Sequence, residues 1–314
     1  MTTEVTAPAG GSSIDAATSL GAVSLTVADL GRARAFYERV VGLVTSPRGV
    51  GSVGLTASGG GSELVVLHED RQAPPLDPYG NGLFHLALLV GSRVELARSL
   101  RRIADARWRL TGASDHLVSE ALYLRDPDGN GIEIYRDRPR AQWPTDGGGA
   151  VRMDTLGLDL SDLLGELDGS AGSQPATAVA AGARIGHVHL QVADLAAAER
   201  FYCEMLGFDV TVRAYPGALF VSAGGYHHHI GLNTWQSLGA APVVPGRVGL
   251  RSFEVLVPDH AALTRVLDRA RAADVDVERL DGEPASPGWP RSPGLPAAVR
   301  VRDPFGTAVV LRCA

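Results

Sequence analysis

Residues 21–43, GAVSLTVADLGRARAFYERVVGL, and residues 186–208, GHVHLQVADLAAAERFYCEMLGF, share V-x-L-x-V-A-D-L, then A-x-x-F-Y, then a closing glycine, at a constant offset of 165. This is an internal repeat, and its reading sets the frame for the whole chain. In the first copy Val23, Leu25 and Val27 alternate as on a half-buried strand. Asp29 is then placed to cap a helix, and Ala33, Phe36, Tyr37 and Val40 follow at helical spacing. Asp194, Ala198, Phe201, Tyr202 and Met205 repeat the pattern in the second copy. The Phe-Tyr pairs are assigned to packing. A second pair of segments, RDPDGNGIEIYRD from Arg125 and RDPFGTAVVLRCA from Arg302, places the same Asp-Pro-x-Gly turn before a final strand. The chain therefore reads as four modules that begin near Gly21, Leu83, Gly186 and Leu250, each with one strand, one amphipathic helix and then shorter strands.

A length of 314 residues suits about two domains of ~150 residues each. The boundaries read as a disordered tail over 1–18, an N-terminal domain over 19–137 (modules one and two) and a C-terminal domain over 185–314 (modules three and four). Between them, 138–184 is a linker with a short helix in MDTLGLDLSDLLGEL, followed by the small-residue run DGSAGSQPATAVAAGA. The net charge of -6 offers no basic face for a nucleic acid or an anionic membrane. No 18-residue apolar span is present, and the N-terminus has neither a basic nor an apolar leader region, so a cytoplasmic protein with no membrane partner is expected. Cys203 and Cys313 are too few for a disulfide framework.

Three residues in apolar runs point to chemistry: His85 in GLFHLALLV, Glu133 in GNGIEIYRD and His187 in RIGHVHLQV. A carboxylate inside such a strand is costly to bury unless a cation lies beside it. Two imidazoles and one carboxylate are the donors of a two-histidine, one-carboxylate metal site, although here they come from different repeats. His189 shares a strand face with His187 and is an alternative to it. Of His227, His228 and His229, alternation turns the middle one away from its neighbours, which leaves open which of them faces a site. Tyr123 reads either as a site residue or as core, and His116 as a site residue or as a loop brace with Asp115. The run from Asp126 to Gly131 is a turn, since it lacks the further ligands of a calcium loop.

The entry strand V-x-L-x-V-A-D-L and the exit strand D-P-D-G-N-x-I-E resemble the vicinal-oxygen-chelate superfamily, the fold of glyoxalases and extradiol dioxygenases. GLFHLALLV, GASDHLVSEALYLRDPDGNGIEIYRDRPR and GGYHHHIGLNTW resemble its two-domain catechol 2,3-dioxygenase family, and the resemblance covers nearly all of the chain after residue 18. It implies an α+β fold of four βαβββ modules that form two paired-module domains with half-barrel sheets. It also implies metal ligands at two points of a module, the opening and the closing strand. Module one has Ala22 at its opening point, and module four has Ser252 and Val310, so only modules two and three keep ligands. Pairing two with three, within one chain or across an interface, restores the set His85, Glu133 and His187.

The implied activity is that of a non-haem Fe(II)-dependent extradiol dioxygenase in aromatic hydrocarbon catabolism. It would cleave a catechol with O2 to a muconic semialdehyde, and its expected partners are the catechol, O2 and further copies of itself in a homo-oligomer. By the same resemblance His228 is the acid-base histidine, Tyr123 binds substrate and His116 stabilises what is bound. Zn or Mn would fit the same donors. The alternatives are a metal-dependent glyoxalase-like lyase or isomerase, usually with a fourth protein ligand, and a metal-free small-molecule binding or resistance protein. Pocket walls are expected from YPGALF, which begins at Tyr215, and SPGWPRSPG, which begins at Ser286.

Overall fold

The computed structural model describes residues 13–145, 147, 151–168, 177–280 and 298–314. Module one runs β1 (Ser19–Val27), α1 (Leu30–Phe36), β2 (Val44–Pro47), β3 (Ser52–Thr56) and β4 (Val65–Glu69). Module two runs β5 (Gly82–Leu89), α2 (Arg93–Asp105), β6 (Leu110–Asp115), β7 (Ser119–Arg125) and β8 (Gly131–Asp137). The connection adds β9 (Leu156–Gly157) and α3 (Leu160–Gly165). Module three is β10 (Arg184–Gln191), α4 (Leu195–Glu199), β11 (Asp209–Val212), β12 (Ala218–Ser222) and β13 (Ile230–Asn233). Module four is β14 (Gly249–Val257), α5 (His260–Ala272), β15 (Glu278–Arg279), β16 (Ala298–Arg302) and β17 (Ala308–Cys313).

The sheets join modules from opposite halves of the sequence. One has the order β15-β16-β17-β14-β1-β4-β3-β2, uniting modules four and one; the other, β11-β12-β13-β10-β5-β8-β7-β6-β9, unites three and two. Segments 19–137 and 185–314 thus each contribute one module to each sheet. In every module the first strand lies parallel to the last, and the two modules of a sheet meet through antiparallel first strands, β1 with β14 and β10 with β5. The α-helix is the crossover that a parallel pair requires.

Local chemistry explains the repeated element. Asp29 accepts a hydrogen bond from the Arg32 N–H and Asp194 from the Ala197 N–H, so both capping carboxylates stand where the sequence predicts them. Each helix then widens into a π-helical turn, Tyr37–Val41 or Arg200–Met205. Tyr37 and Tyr202 are fully buried there. Their hydroxyls donate to Asp126 at 3.3 Å and Asp303 at 2.9 Å, so the Phe-Tyr motif of each half is tied to the Asp-Pro-x-Gly turn of the same half.

Residues 1–12 of the expected tail lie outside the described residues. Residues 13–18 are anchored instead: Ile14 is buried and its N–H donates to the Gly207 carbonyl at 2.7 Å. The connection is held as well. Buried Glu120 accepts from Arg93, Arg136 and Arg138 at 3.0, 2.8 and 3.2 Å, and Arg93 reaches on to Asp162 in α3 and to Glu166, which caps its C-terminus. Among the described residues no helix is long and apolar enough to cross a membrane.

Candidate metal centre and active site

His85 on β5, Glu133 on β8 and His187 on β10 come together on the concave face of the sheet built by modules two and three, within a single chain. Their donor atoms lie within 4.8 Å of one another, and the residues are only 6%, 2% and 2% exposed. The strand register explains the convergence. β5 is central, and its Ala87 is level with Glu133 on one side and His187 on the other. Gly186 matters here, because a Cβ at that position would sit 1.8 Å from the Tyr135 hydroxyl, and β10 could not then lie so close to β8.

The protonation of the group suits a cation. Burial pushes His187 down to about 4, which leaves it neutral. Burial opposes ionisation of Glu133, but His187 and His85 beside it hold the carboxyl well below the usual carboxylate range. The result is a buried anion beside neutral imidazole. His187 Nε2 lies 3.0 Å from Glu133 Oε2 in hydrogen-bond geometry. His85 Nε2 is 2.9 Å from the same oxygen, yet it makes no hydrogen bond, and His187 Nδ1 also has no partner. A buried imidazole nitrogen without a hydrogen bond, 2.9 Å from a carboxylate oxygen, is placed to bind the same cation as that oxygen. The residues therefore fit a divalent metal that accepts nitrogen as well as oxygen donors.

His189, the alternative, pairs directly across from His85, and its Nε2 is 3.0 Å from Asn233 Nδ2, an amide that donates to it. Its ring stands between Phe84, Phe220 and Trp235 and lines the cavity, and burial holds it well below the usual histidine range.

Around the three residues is a cavity of about 350 Å³ whose lining also includes Tyr123, His116 and His228. Tyr123 is opposite Glu133 in the ladder of β7 and β8. Burial, and then the charge of Glu133, push its phenol well above the ordinary range, so it keeps its proton. His116 Nε2 is 2.7 Å from the Tyr123 hydroxyl, and His116 Nδ1 is 2.8 Å from the Asp154 carbonyl. Asp115, the brace considered for His116, bonds instead to Leu117 and Arg138.

The histidine triple precedes β13 rather than lying in it. His228 faces the cavity, with its ring centroid 4.2 Å from that of His187. His227 is buried behind it with Nε2 2.9 Å from Asp137, and His229 accepts from the Ala223 N–H at 3.1 Å. Tyr215 and Phe220 of the YPGALF stretch line the cavity, whereas SPGWPRSPG lies outside the described residues.

Several contributors have no signal in the sequence. Met153, Asp154 and Thr155 of the connection close one wall, and Asp154 acts through a main-chain carbonyl that any residue would supply. Phe84 and Trp235 pack edge-on at 5.3 Å and form another wall. Phe84 adjoins a predicted ligand, which is the only hint of its place.

The model of the Glyoxalase/Bleomycin resistance protein/Dioxygenase superfamily matches residues 19–134 and 184–311. The chain is 39% identical over 301 residues to the catechol-2,3-dioxygenase of Bacillus subtilis (strain 168), across 95% of this chain and 98% of that protein. Its fold is similar to that of glyoxalase I from Zea mays, with a TM-score of 0.56 and 17% identity over 95% of this chain and 92% of that one. The cppA protein of Streptococcus pneumoniae TIGR4 is similar with a TM-score of 0.55 and 11% identity, over 94% and 100% of the two chains. With the repeated modules, the paired half-barrel sheets and the buried His-Glu-His group in place, these matches mean that the chain is an enzyme of the vicinal-oxygen-chelate superfamily and belongs to its two-domain catechol 2,3-dioxygenase family.

Proposed function

We propose that this protein is an Fe(II)-dependent extradiol dioxygenase that opens the ring of a catechol with O2 to give a muconic semialdehyde. The observation that carries the reading is the convergence of His85, Glu133 and His187 in one buried cavity beside Tyr123 and His228. These three residues would hold the iron, which when bound supplies a redox-active Lewis acid that lowers the pKa of a chelating catechol. Among the described residues the group has three protein ligands rather than four, which leaves positions for a chelating substrate and O2 and favours the dioxygenase over a glyoxalase-like lyase.

The chain's own residues account for binding and proton handling. Phe84, Tyr215, Phe220 and Trp235 give flat apolar walls suited to an aromatic ring. The carbonyl of Asp154 can only accept, so His116 Nδ1 donates to it, and Tyr123, whose phenol keeps its proton, donates to His116 Nε2. The Tyr123 oxygen keeps a lone pair for a catechol hydroxyl. His228, which burial holds well below the usual histidine range, is a neutral imidazole ready to take a proton and return it. As part of this reading the enzyme is a cytoplasmic homo-oligomer, and sedimentation of the iron-loaded protein tests its assembly.

Anaerobic reconstitution with Fe(II), followed by catechol and then oxygen, should produce the yellow ring-cleavage product. An iron-loaded protein that yields no product from any simple catechol would sink the proposal.

A further inference from the structure

His228 is one member of a hydrogen-bonded chain that leads away from the cavity. Its Nδ1 is 2.8 Å from His227 Nδ1, and His227 Nε2 is 2.9 Å from Asp137 Oδ1. The other Asp137 oxygen accepts from the Tyr226 hydroxyl at 2.9 Å, and Tyr226 is itself 2.7 Å from the Tyr135 hydroxyl. The rings of His227 and Tyr226 stack with centroids 4.0 Å apart, and Trp143 closes on His227 from another side. These contacts hold the rings of His227 and His228 in place.

The position of each proton follows from what each atom can do. A carboxylate only accepts, so His227 Nε2 carries a proton and gives it to Asp137. With that single proton on its ring, His227 has a bare Nδ1, which must accept. Two bare nitrogens facing each other at 2.8 Å would repel, so His228 Nδ1 carries the proton between them. That leaves His228 Nε2 without a proton, as the atom available to the cavity. The Tyr226 hydroxyl already gives its proton to Asp137, so Tyr135 is the donor to Tyr226, and the carboxylate is braced on both oxygens.

We propose that Asp137 and His227 are positioning residues that hold His228 in the Nδ1–H form, with Nε2 open to the substrate. The assignment deepens the dioxygenase reading and rests on it for the role given to His228. It also gives β8 a double task. Glu133 and Asp137 are four residues apart on that one strand, so the carboxylate beside the metal-binding imidazoles and the carboxylate behind the proton-handling histidine are set by the same backbone. A carboxylate that orients an imidazole is a general device for selecting a tautomer, here extended by one further ring.

Two measurements test it. In wild-type protein labelled with ¹⁵N-histidine and loaded with diamagnetic Zn(II), long-range ¹H–¹⁵N correlation should show His228 protonated at Nδ1 and bare at Nε2, with the signals assigned by their loss in His228→Gln. A proton on Nε2 of His228 overturns the proposal, whether or not the iron enzyme is active. If instead the iron-loaded wild type never cleaves a catechol while His228 shows the Nδ1–H form, the function reading fails and the placement stands. In kinetics Asp137→Asn should lower kcat by tenfold or more, with KM and iron content within twofold of wild type, and Asp137→Glu should recover part of the loss. Unchanged kcat in Asp137→Asn, or a loss that only follows loss of iron, overturns the positioning role. Should Asp137→Asn fail to fold, His227→Phe carries the same kinetic expectation, and the wild-type spectrum decides the tautomer without any variant.

Discussion

In the sheet of modules two and three, His189 pairs with His85 and Ala87 with Glu133; in the sheet of modules four and one, the same register pairs Ser24 with Ser252 and Glu254 with Val310. The backbones therefore offer the same ligand points twice. What differs is the filling. Where the first sheet has Ala87 and Tyr135, the second has Glu254 and Arg312, which form an ion pair at 3.1 Å, and Glu254 also accepts from the Ala22 N–H at 3.1 Å. A Cβ on Gly21 would lie 2.5 Å from a Glu254 oxygen, as one on Gly186 would meet the Tyr135 hydroxyl. Both sheets thus keep a glycine at the same place for close approach, but one surrounds its carboxylate with imidazole and the other with guanidinium and a main-chain donor. A carboxylate already paired in this way has little left to offer a cation. The repeat offers the geometry twice, and among the described residues side-chain chemistry confines the His-Glu-His group to one copy.

The largest test of this contrast removes the donors. His187→Ala or Glu133→Ala should weaken iron binding by at least about a hundredfold and abolish ring cleavage, read by iron titration and turnover. Ala22→Ser at the matching point of the other sheet should change neither. Wild-type iron affinity in His187→Ala would mean that modules two and three do not share a site.

The converse substitution measures what a carboxylate costs without its imidazoles. Val310 is buried at the point that corresponds to Glu133, with Ala22 and Ser252 where the histidines would be. Val310→Glu should destabilise the protein by roughly 3–5 kcal/mol in urea unfolding, because a buried charge is left without adequate compensation. A loss under about 1 kcal/mol would show that Arg312 can be shared between two carboxylates, and the blank sheet would be closer to a binding site than its residues suggest.

A smaller effect concerns what the two halves have in common. Burial pushes Asp126 and Asp303 up to about 6, against hydrogen bonds from Asn130 in one case and from Thr307 and Tyr202 in the other. A folded-state pKa above the unfolded one means that the folded protein holds the extra proton. The stabilisation is complete below about pH 4, is withdrawn as pH rises through about 6, and is flat beyond. In the metal-free protein each of the two sites should contribute a loss of ~2–3 kcal/mol between pH 4 and 6, against a gain from the buried neutral histidines, so the readout is the difference from Asp126→Asn, which should lack one such contribution over this range. No difference in pH dependence between the wild type and Asp126→Asn would mean that the hydrogen bonds outweigh burial. A slope carried by one site alone would distinguish the halves in their packing as well as in their chemistry.

Much of this was legible because the signals are local. The offset between the two V-A-D-L segments exposed the modules, and the blanks at Ala22, Ser252 and Val310 pointed to the union of modules two and three that the sheets display. The π-helical turns at Tyr37–Val41 and Arg200–Met205 were not legible, since an added residue in a turn reflects packing rather than propensity. Asp154 was invisible because its contribution is a carbonyl. Alternation set His228 apart from its neighbours but could not reveal that His227 joins it to Asp137, a contact that spans 90 residues of sequence.

Tyr123 provides the finest comparison, because its ladder partner is Glu133 and the equivalent pair in the other sheet is Arg300 with Val310. Arg300 turns to Glu278 on the neighbouring strand at 2.9 Å, in a partly exposed ion pair of the kind that contributes little. The Tyr123 hydroxyl is held by His116 at the cavity wall. Tyr123→Phe keeps the ring and removes only that hydroxyl, so iron content and fold should survive while kcat falls about tenfold, the ~1.4 kcal/mol that one hydrogen bond in a buried site supplies. Arg300→Leu should leave kcat at the wild-type value. Equal losses in the two variants would mean that the position governs the packing of both sheets, and Tyr123 would then be a core residue that happens to face the cavity. A loss confined to Tyr123→Phe, with KM for catechol raised as well, would place its oxygen on the substrate rather than on His116 alone.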